Sequence, residues 1–338
     1  MPPLDSLNET LFSHYEACEL CPRRCRVDRM AGQVGSCGET AQLRIATIES
    51  HLGEEPPISG QNGSGTVFFS GCSLRCVFCQ NHQISHQGLG SEWTLQQVVD
   101  RLVALRAREG IHNVNFVTPD HFFPHTVAIV RLLREGRVHL PTVYNVSGYQ
   151  HIESLRMIES VADIYLTDFK YADASLVRNL SCCYDYSEVA LEAVSEMVRQ
   201  KGFLDTFMTD GELEAGRVGV GDCLPVVSQK GVLVRHLILP GHVQNSLQVL
   251  SILFVEFGPG LPISLMRQYA PVCEFPSGSS FNRRVTRDEF QEVFQHAQEL
   301  GFRNLFVQYP EDVAHDMQRF LPDFRVTNPF PGNLRDRT

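Results

Sequence analysis

The chain has 338 residues, 43% of them apolar, enough for one large α/β domain with a small appendage. It carries 29 basic and 39 acidic residues, a net charge of −10, which argues against a general binder of nucleic acid or of an anionic membrane. No apolar run approaches the ~18 residues of a membrane span, and no secretory leader is read, so a cytoplasmic location is expected. Eleven cysteines in such a chain do not read as a disulfide framework. Seven of them fall in two short groups, which points to metal in a reducing compartment.

Residues 1–17 are polar and mildly amphipathic, a short helix or a disordered start. The first cysteine group follows, Cys18, Cys21, Cys25 and Cys37, with Gly32 and Gly35 before Cys37 and Gly38 after it as turn residues. Four thiols in this pattern suit a four-thiolate zinc site or an auxiliary [4Fe–4S] cluster, and the spacing does not choose between them. The bland alternative is a set of unliganded thiols on loops. Arg23, Arg24, Arg26 and Arg29 lie inside the same knuckle. Such a run can contact nucleic acid, but the favoured reading is a solvated face or an offset to an anionic metal centre.

Residues 42–50 alternate as a strand does. The stretch 53–65 is rich in Gly, Pro and Ser and contains Glu54-Glu55-Pro56-Pro57. It is taken as the boundary between an N-terminal segment with its linker (1–60) and a larger domain (61–310). Residues 66–69 read as a buried strand, and the second cysteine group follows directly: Gly71-Cys72-Ser73-Leu74-Arg75-Cys76-Val77-Phe78-Cys79-Gln80-Asn81. Three thiolates on one tight loop can hold three irons of a [4Fe–4S] cluster and leave the fourth iron open, where an ordinary electron-transfer cluster takes four cysteines. The alternatives are a zinc site completed by His82 or His86, or plain buried thiols.

Strands and helices then alternate. Thr94 with Gln97 forms a capping-box start, and Leu95, Val98, Val99, Leu102 and Val103 give one apolar helix face. Strands are predicted over 113–117, 142–146, 163–167, 232–239, 263–266 and 304–307. Helices are predicted over 124–135, 151–160, 186–200 and 245–257. A last helix opens on a second capping box, Thr286 with Glu289, carries Phe290, Val293, Phe294, Ala297 and Leu300 on one face, and stops at Gly301. Residues 203–229 break the rhythm as a surface insertion or long loop, and the tail over 311–338 is expected to be loosely attached. Six βα units without a GxGxxG after the first strand favour a curved parallel sheet over a dinucleotide-binding fold.

In a β/α barrel the loops at the strand C-termini carry the site. Here those ends are polar: Cys72, Cys76 and Cys79; Thr118 and His121; Asn145 and Ser147; Asp168 and Lys170; Arg235; Gln268 and Tyr269. Each has a bland reading singly, such as a turn for Thr118, a buried hydrogen bond for Asn145, or a partnership of Arg235 with Asp168. Their convergence is harder to dismiss.

The stretch Gly71–Asn81 resembles the cluster loop of the radical S-adenosylmethionine (SAM) superfamily, most closely the branch related to pyruvate formate-lyase activating enzyme. The Glu-Glu-Pro-Pro-Ile-Ser-Gly run also resembles that branch. The resemblance covers about 60–310. It implies a partial (β/α)6 barrel of TIM type, with the four-cysteine segment outside it. It also implies a [4Fe–4S] cluster on Cys72, Cys76 and Cys79, and SAM as cofactor. The reduced cluster would cleave SAM to methionine and a 5′-deoxyadenosyl radical that abstracts hydrogen from a substrate.

By the same resemblance Asp168 and Lys170 match the Asp-x-Lys that contacts SAM, and Arg235 matches the arginine before a Pro-Gly turn. Many radical SAM proteins carry Gly-Gly-Glu after the second strand for the methionine amine. This chain has Thr118-Pro119-Asp120, so Thr118 or Asp120 stands in that place. Phe78 packs on the adenine or, nearly as readily, on the barrel wall. A reductant such as flavodoxin or ferredoxin is implied, and a glycyl radical enzyme is one protein substrate. A peptide, an RNA base or a small molecule is equally allowed. A metal-knuckle binding module and a plain iron–sulfur electron carrier remain the alternatives from other classes.

Overall fold

The structure is a computed structural model that describes residues 10–206, 227–307 and 321–330. One mixed sheet organises it. Its strands are β1 (Arg44–His51), β2 (Ser64–Phe69), β3 (Ser91–Glu92), β4 (Val114–Val117), β5 (Thr142–Val146), β6 (Ile164–Asp168), β7 (Gly231–Leu237), β8 (Ile263–Met266) and β9 (Leu305–Val307). Their order is β3-β1-β2-β4-β5-β6-β7-β8-β9. Every pairing from β2 through β9 is parallel, while β1 runs antiparallel to β2 and β3 to β1.

The helices are α1 (Pro56–Ser59), α2 (His82–Ser85), α3 (Leu95–Glu109), α4 (Phe123–Glu135), α5 (Ile152–Ile158), α6 (Ala174–Ser181), α7 (Tyr186–Lys201), α8 (Val243–Phe257) and α9 (Arg287–Leu300). Helices connect successive parallel strands, and the sheet order ends at β3 and β9 without closing. This is the expected partial (β/α)6 arrangement. Parallel strands with helices outside are buried on both faces, and β2, β4 and β8 are buried along their whole length. No helix among the described residues is long and apolar enough to cross a membrane.

Local chemistry sets the helix bounds. Thr94 Oγ1 accepts from the Gln97 amide at 3.2 Å, and Gln97 Oε1 accepts from the Thr94 amide at 2.8 Å. That reciprocal pair satisfies two donors that a helix start leaves unpaired. Gly110, at φ 69°, ends α3 in the left-handed region that favours glycine. The predicted apolar face of α3 needs one correction. Val98, Val99, Leu102 and Leu105 are buried, whereas Val103 is 39% exposed. Position 103 lies one step round the helix from Leu102, on the solvent side of the stripe.

Two segments expected outside the barrel are built into the body. β1 belongs to the cysteine-rich segment in sequence, yet it extends the barrel sheet along β2. The connection from β1 to β2 enters the barrel. Ile58, fully buried, packs with Val143, Ile164, Leu166, Leu204 and Leu233. Residues 321–330 of the expected loose tail are docked: Phe330 stacks on Phe68 with ring centroids 5.2 Å apart, and Asp323 accepts from Gln83 Nε2 at 3.1 Å. Of the expected insertion at 203–229, Phe203 bridges to Val232 beside β7, and residues 207–226 lie outside the described residues.

Ile58 is the apolar plug at this end of the barrel. Ile58→Ala is expected to lower unfolding stability by roughly 2–5 kcal/mol, the range for emptying a buried aliphatic site. In urea the midpoint should fall with an unchanged slope. A midpoint equal to wild type would show that the plug carries no packing load.

Candidate active site

The loop that carries Cys72, Cys76 and Cys79 leaves β2 through Gly71, whose φ is +81°. A Cβ there would meet Glu39 Cγ at 2.5 Å and the Cys37 carbonyl oxygen at 2.7 Å, so only glycine fits. Cys72 and Cys76 are buried and Cys79 is half-buried. Each sulfur accepts one hydrogen bond from the protein. Leu74 N–H donates to Cys72 at 3.4 Å, Ser181 Oγ to Cys76 at 3.0 Å, and Ser85 Oγ to Cys79 at 3.4 Å. Burial pushes all three thiols above the ordinary cysteine value. As bare groups they are therefore neutral, and a bound cationic centre is what makes such thiols anionic ligands.

The three cysteines line one cavity of about 170 Å³. Seven residues expected from the sequence to contact the cofactor line it too: Phe78, Thr118, Asn145, Ser147, Asp168, Lys170 and Arg235. Gln268 and Tyr269 from the end of β8 complete it. The parallel register explains this, because the strand ends are brought level along one rim of the sheet. Phe78 sits between Tyr171 and Tyr269, with ring centroids 6.4 and 6.2 Å away. Thr118 holds φ 56°, an uncommon value for a β-branched residue, and its amide donates to the Asn145 carbonyl at 2.9 Å.

Lys170 Nζ pairs with Asp168 Oδ2. Burial alone would lower the Lys170 pKa. The Asp168 carboxylate and the Cys76 sulfur outweigh that and raise it, so the ammonium persists. The rim therefore presents a fixed positive charge to the thiols. Such a charge can also meet a carboxylate.

Some expectations are corrected. Arg235 stands beside Asp168 in strand register, but its guanidinium turns to Glu54 and Glu55. Nε donates to Glu55 Oε1 at 2.9 Å, and Nη2 pairs with both carboxylates. Asp120 does not line the cavity. It accepts from Gln150 Nε2 at 2.9 Å, and burial raises its pKa to about 7. Thr118 is thus the member of Thr118-Pro119-Asp120 that lines the cavity. His121 is structural: Nε2 donates to the Ser70 carbonyl at 2.7 Å, and burial with the Arg29 charge lowers its pKa to about 3. His82 and His86 line no wall of the cysteine cavity.

The four-cysteine segment abuts this loop. The Cys72 amide donates to the Cys37 carbonyl at 3.2 Å. Arg23 Nε donates to the Ser73 carbonyl at 3.0 Å, and its other nitrogens bond the carbonyls of Ser181 and Cys182. Cys18, Cys21 and Cys37 are buried, and Cys25 is half-buried against Ser36. Burial raises the Cys21 thiol to about 12. Arg29 is fully buried over the Tyr15 ring at 4.4 Å and donates to the carbonyls of Thr40 and His121. The four arginines form no stripe: Arg23 and Arg29 turn inward, Arg24 meets His151, and Arg26 pairs with Glu19. Among the described residues no three Cys, His, Asp or Glu side chains close around a single ion. A four-iron cluster does not ask that of its thiolates, since it spreads them over separate irons.

The sequence reading missed three parts. The first is α6, whose C-terminal Ser181 supports Cys76 and whose Leu180 carbonyl accepts from Val77 N at 2.9 Å. Its signal was present in Asp173, an N-cap that accepts from Ser175 N at 2.7 Å, followed by Leu176, Val177 and Leu180. The second is the acidic pair Glu54-Glu55 inside the barrel. The third is His236, which ties β7 to Phe169 and to α8.

Residues 66–210 match the family model of the Radical SAM superfamily. Over that stretch the chain is similar to radical SAM proteins. The superfamily implies a [4Fe–4S] cluster and SAM, and the donor set around the 170 Å³ cavity fits both. An uncharacterized protein of Methanocaldococcus jannaschii is 25% identical over 305 residues, covering 88% of this chain and 79% of that protein. Among solved structures, a domain of a pyruvate-formate lyase-activating enzyme from Bacteroides vulgatus is 13% identical with TM-score 0.37, covering 58% of this chain and 99% of that one. Streptococcus suis SuiB bound to SAM is 10% identical with TM-score 0.45, and the match covers 71% of this chain and half of SuiB.

His236 sets a pH dependence. Its Nδ1–H donates to the Phe169 carbonyl at 2.7 Å and its Nε2 accepts from Ser246 Oγ at 2.8 Å, which fixes the neutral ring. Burial lowers its pKa to about 4. An unfolded histidine titrates near ~6.5, so stability present above that pH is lost as the pH falls from ~6.5 toward 4. The expected loss from this residue is roughly 2 kcal/mol between pH 7 and pH 5. Urea unfolding at the two pH values should show a smaller loss for His236→Gln than for wild type. An identical loss in both proteins would mean that His236 is charged in the folded state.

Proposed function

We propose that the chain is a radical SAM oxidoreductase of the activating-enzyme type. In this reading Cys72, Cys76 and Cys79 are the protein ligands of a [4Fe–4S] cluster, and the strand ends around them hold SAM. The observation that carries it is the single cavity shared by three buried thiols and the polar ends of successive parallel strands. When bound, the cluster and SAM supply one-electron cleavage of the sulfonium and hydrogen abstraction from a substrate.

The chain's own residues do the rest. Lys170, held by Asp168, meets the SAM carboxylate. Thr118 takes the place of the amine contact, and Asn145 and Ser147 offer hydrogen bonds to the ribose. Phe78 presents a ring to the adenine, and with Tyr171 and Tyr269 it keeps water from the loop. Hydrogen bonds to the three sulfurs tune the potential, within the roughly −700 to +450 mV that protein surroundings span for such clusters. Glu54 and Glu55 spend two of the Arg235 nitrogens, so that residue lines the rim as a constrained charge.

The four cysteines Cys18, Cys21, Cys25 and Cys37 hold a second centre in this account, a zinc ion or an auxiliary cluster. Its support is electrostatic. Arg29 is buried beside Cys18 and Cys37 with carbonyls as its other partners, and a buried cation calls for an anion. The electron donor is a small one-electron carrier of the flavodoxin or ferredoxin kind. The motif resemblance suggests a glycyl radical enzyme as the substrate. Hydrogen abstraction from a peptide, RNA or small molecule uses the same machinery.

Cys76→Ala tests the assignment. The anaerobically reconstituted variant, given dithionite and SAM, should form no 5′-deoxyadenosine while keeping the N-terminal metal. Retained cleavage would overturn the central role of the loop. The wild-type protein should bind about four irons with one zinc, or about eight irons, by the ligand rules for the two site types. A stoichiometry of about four irons without zinc would remove the second centre.

A further inference from the structure

The three loop sulfurs are not served alike. Cys72 meets a backbone amide at 3.4 Å. Cys79 meets the Ser85 hydroxyl at 3.4 Å, but that hydroxyl has one proton and a nearer acceptor, the Asn81 carbonyl at 3.0 Å. Cys76 meets the Ser181 hydroxyl at 3.0 Å, the shortest of these sulfur contacts. Behind Ser181 stands a second hydroxyl, the phenol of Tyr171, 2.7 Å from Ser181 Oγ.

The direction of this chain follows from counting protons. A thiolate that ligates metal carries no hydrogen, so Ser181 donates to Cys76 and spends its single proton there. The 2.7 Å contact between the two hydroxyls then uses the phenol proton, so Tyr171 donates to Ser181. Tyr171 also faces Cys76, but its hydrogen bond is to Ser181. Both side chains are fully buried, so bulk water does not compete for either proton.

The serine is held from two sides. The last carbonyls of a helix lack partners within it. At the end of α6, Val77 N–H donates to the Leu180 carbonyl, and Arg23 donates to those of Ser181 and Cys182 while also holding Ser73 of the cysteine loop. Tyr171 is fixed as well. Ser187 Oγ donates to its carbonyl at 2.9 Å, and its ring packs edge-on against Tyr186 and Phe78, with centroids 5.2 and 6.4 Å away.

We infer that Tyr171 and Ser181 form a two-hydroxyl donor chain that raises the reduction potential of a cluster ligated by Cys76, with Tyr171 as a positioning residue that acts through Ser181. The inference rests on the reading of Cys72, Cys76 and Cys79 as cluster ligands, but it needs no SAM. Reduction adds one negative charge to a cluster and its thiolates. A donor at sulfur is therefore worth more in the reduced state. A hydroxyl that itself accepts a hydrogen bond is polarised and donates more strongly, by roughly 10–30% per bond.

The test is a redox titration of the reconstituted full chain without SAM, followed by electron paramagnetic resonance on the signal that Cys76→Ala removes. At the wild-type midpoint the reduced-to-oxidised ratio should fall about tenfold in Ser181→Ala and about threefold in Tyr171→Phe, the effects of an ordinary and a weak hydrogen bond. The double variant should match Ser181→Ala alone, because the phenol acts through the serine. Ser85→Ala should move the ratio less than Ser181→Ala does. Tyr171→Phe keeps the ring and decides the matter alone if Ser181→Ala takes up no iron. An unchanged ratio in Tyr171→Phe overturns the chain. So do losses that add in the double variant, which would mean that the phenol acts on Cys76 directly, or a Ser85→Ala shift as large as that of Ser181→Ala. SAM is then added to each sample. The stated shifts in a signal that ignores SAM sink only the radical reading, and a SAM-responsive signal with unchanged ratios sinks only the chain. A wild-type protein with no signal that depends on Cys76 sinks both.

Discussion

Burial works against the thiols that the chemistry needs. Cys72, Cys76 and Cys79 sit where desolvation favours the neutral form, yet only thiolates ligate iron. The surroundings are arranged to reverse that preference once a cationic centre is present. One donor points at each sulfur, from the loop itself, from α6 and from α2. Lys170 adds a positive charge that Asp168 holds in place. The rest of the fold serves to bring those groups together. The parallel register levels the strand ends, and the helices cover the sheet that carries them.

The four-cysteine segment is part of the same construction. Its Cys37 carbonyl takes the Cys72 amide, and its Arg23 gathers three carbonyls from the cluster loop and the end of α6. A change in the segment therefore reaches the cluster loop through backbone hydrogen bonds. β1 continues this coupling by joining the barrel sheet. Any centre bound in the segment thus doubles as a brace for the loop.

Much of this was legible in the sequence, for reasons that can be named. β5 and β8 carry the residues expected of them because short apolar runs bounded by turn residues admit few alternatives. Both capping boxes are real because their chemistry is local: Thr94 with Gln97, and Thr286 with Glu289. The residues that line the cysteine cavity were legible because the barrel rule directs attention to strand ends. Contacts between distant segments were not legible. Nothing in residues 53–60 announces that they enter the barrel to meet Arg235, because that pairing spans 180 positions. Asp120 and His121 read as site residues by position, but their side chains are spent on Gln150 and Ser70. The docking of Phe330 on Phe68 was hidden in the same way, by sequence distance.

The central claim is that three cysteines hold a four-iron cluster whose remaining iron accepts SAM. Electron paramagnetic resonance of the reduced, reconstituted protein tests it most directly. The account predicts a reduced [4Fe–4S] signal that depends on the three loop cysteines and changes when SAM is added, because SAM ligates the open iron. A cluster signal that is unchanged by saturating SAM, or that persists when Cys72, Cys76 and Cys79 are all replaced by alanine, would contradict it.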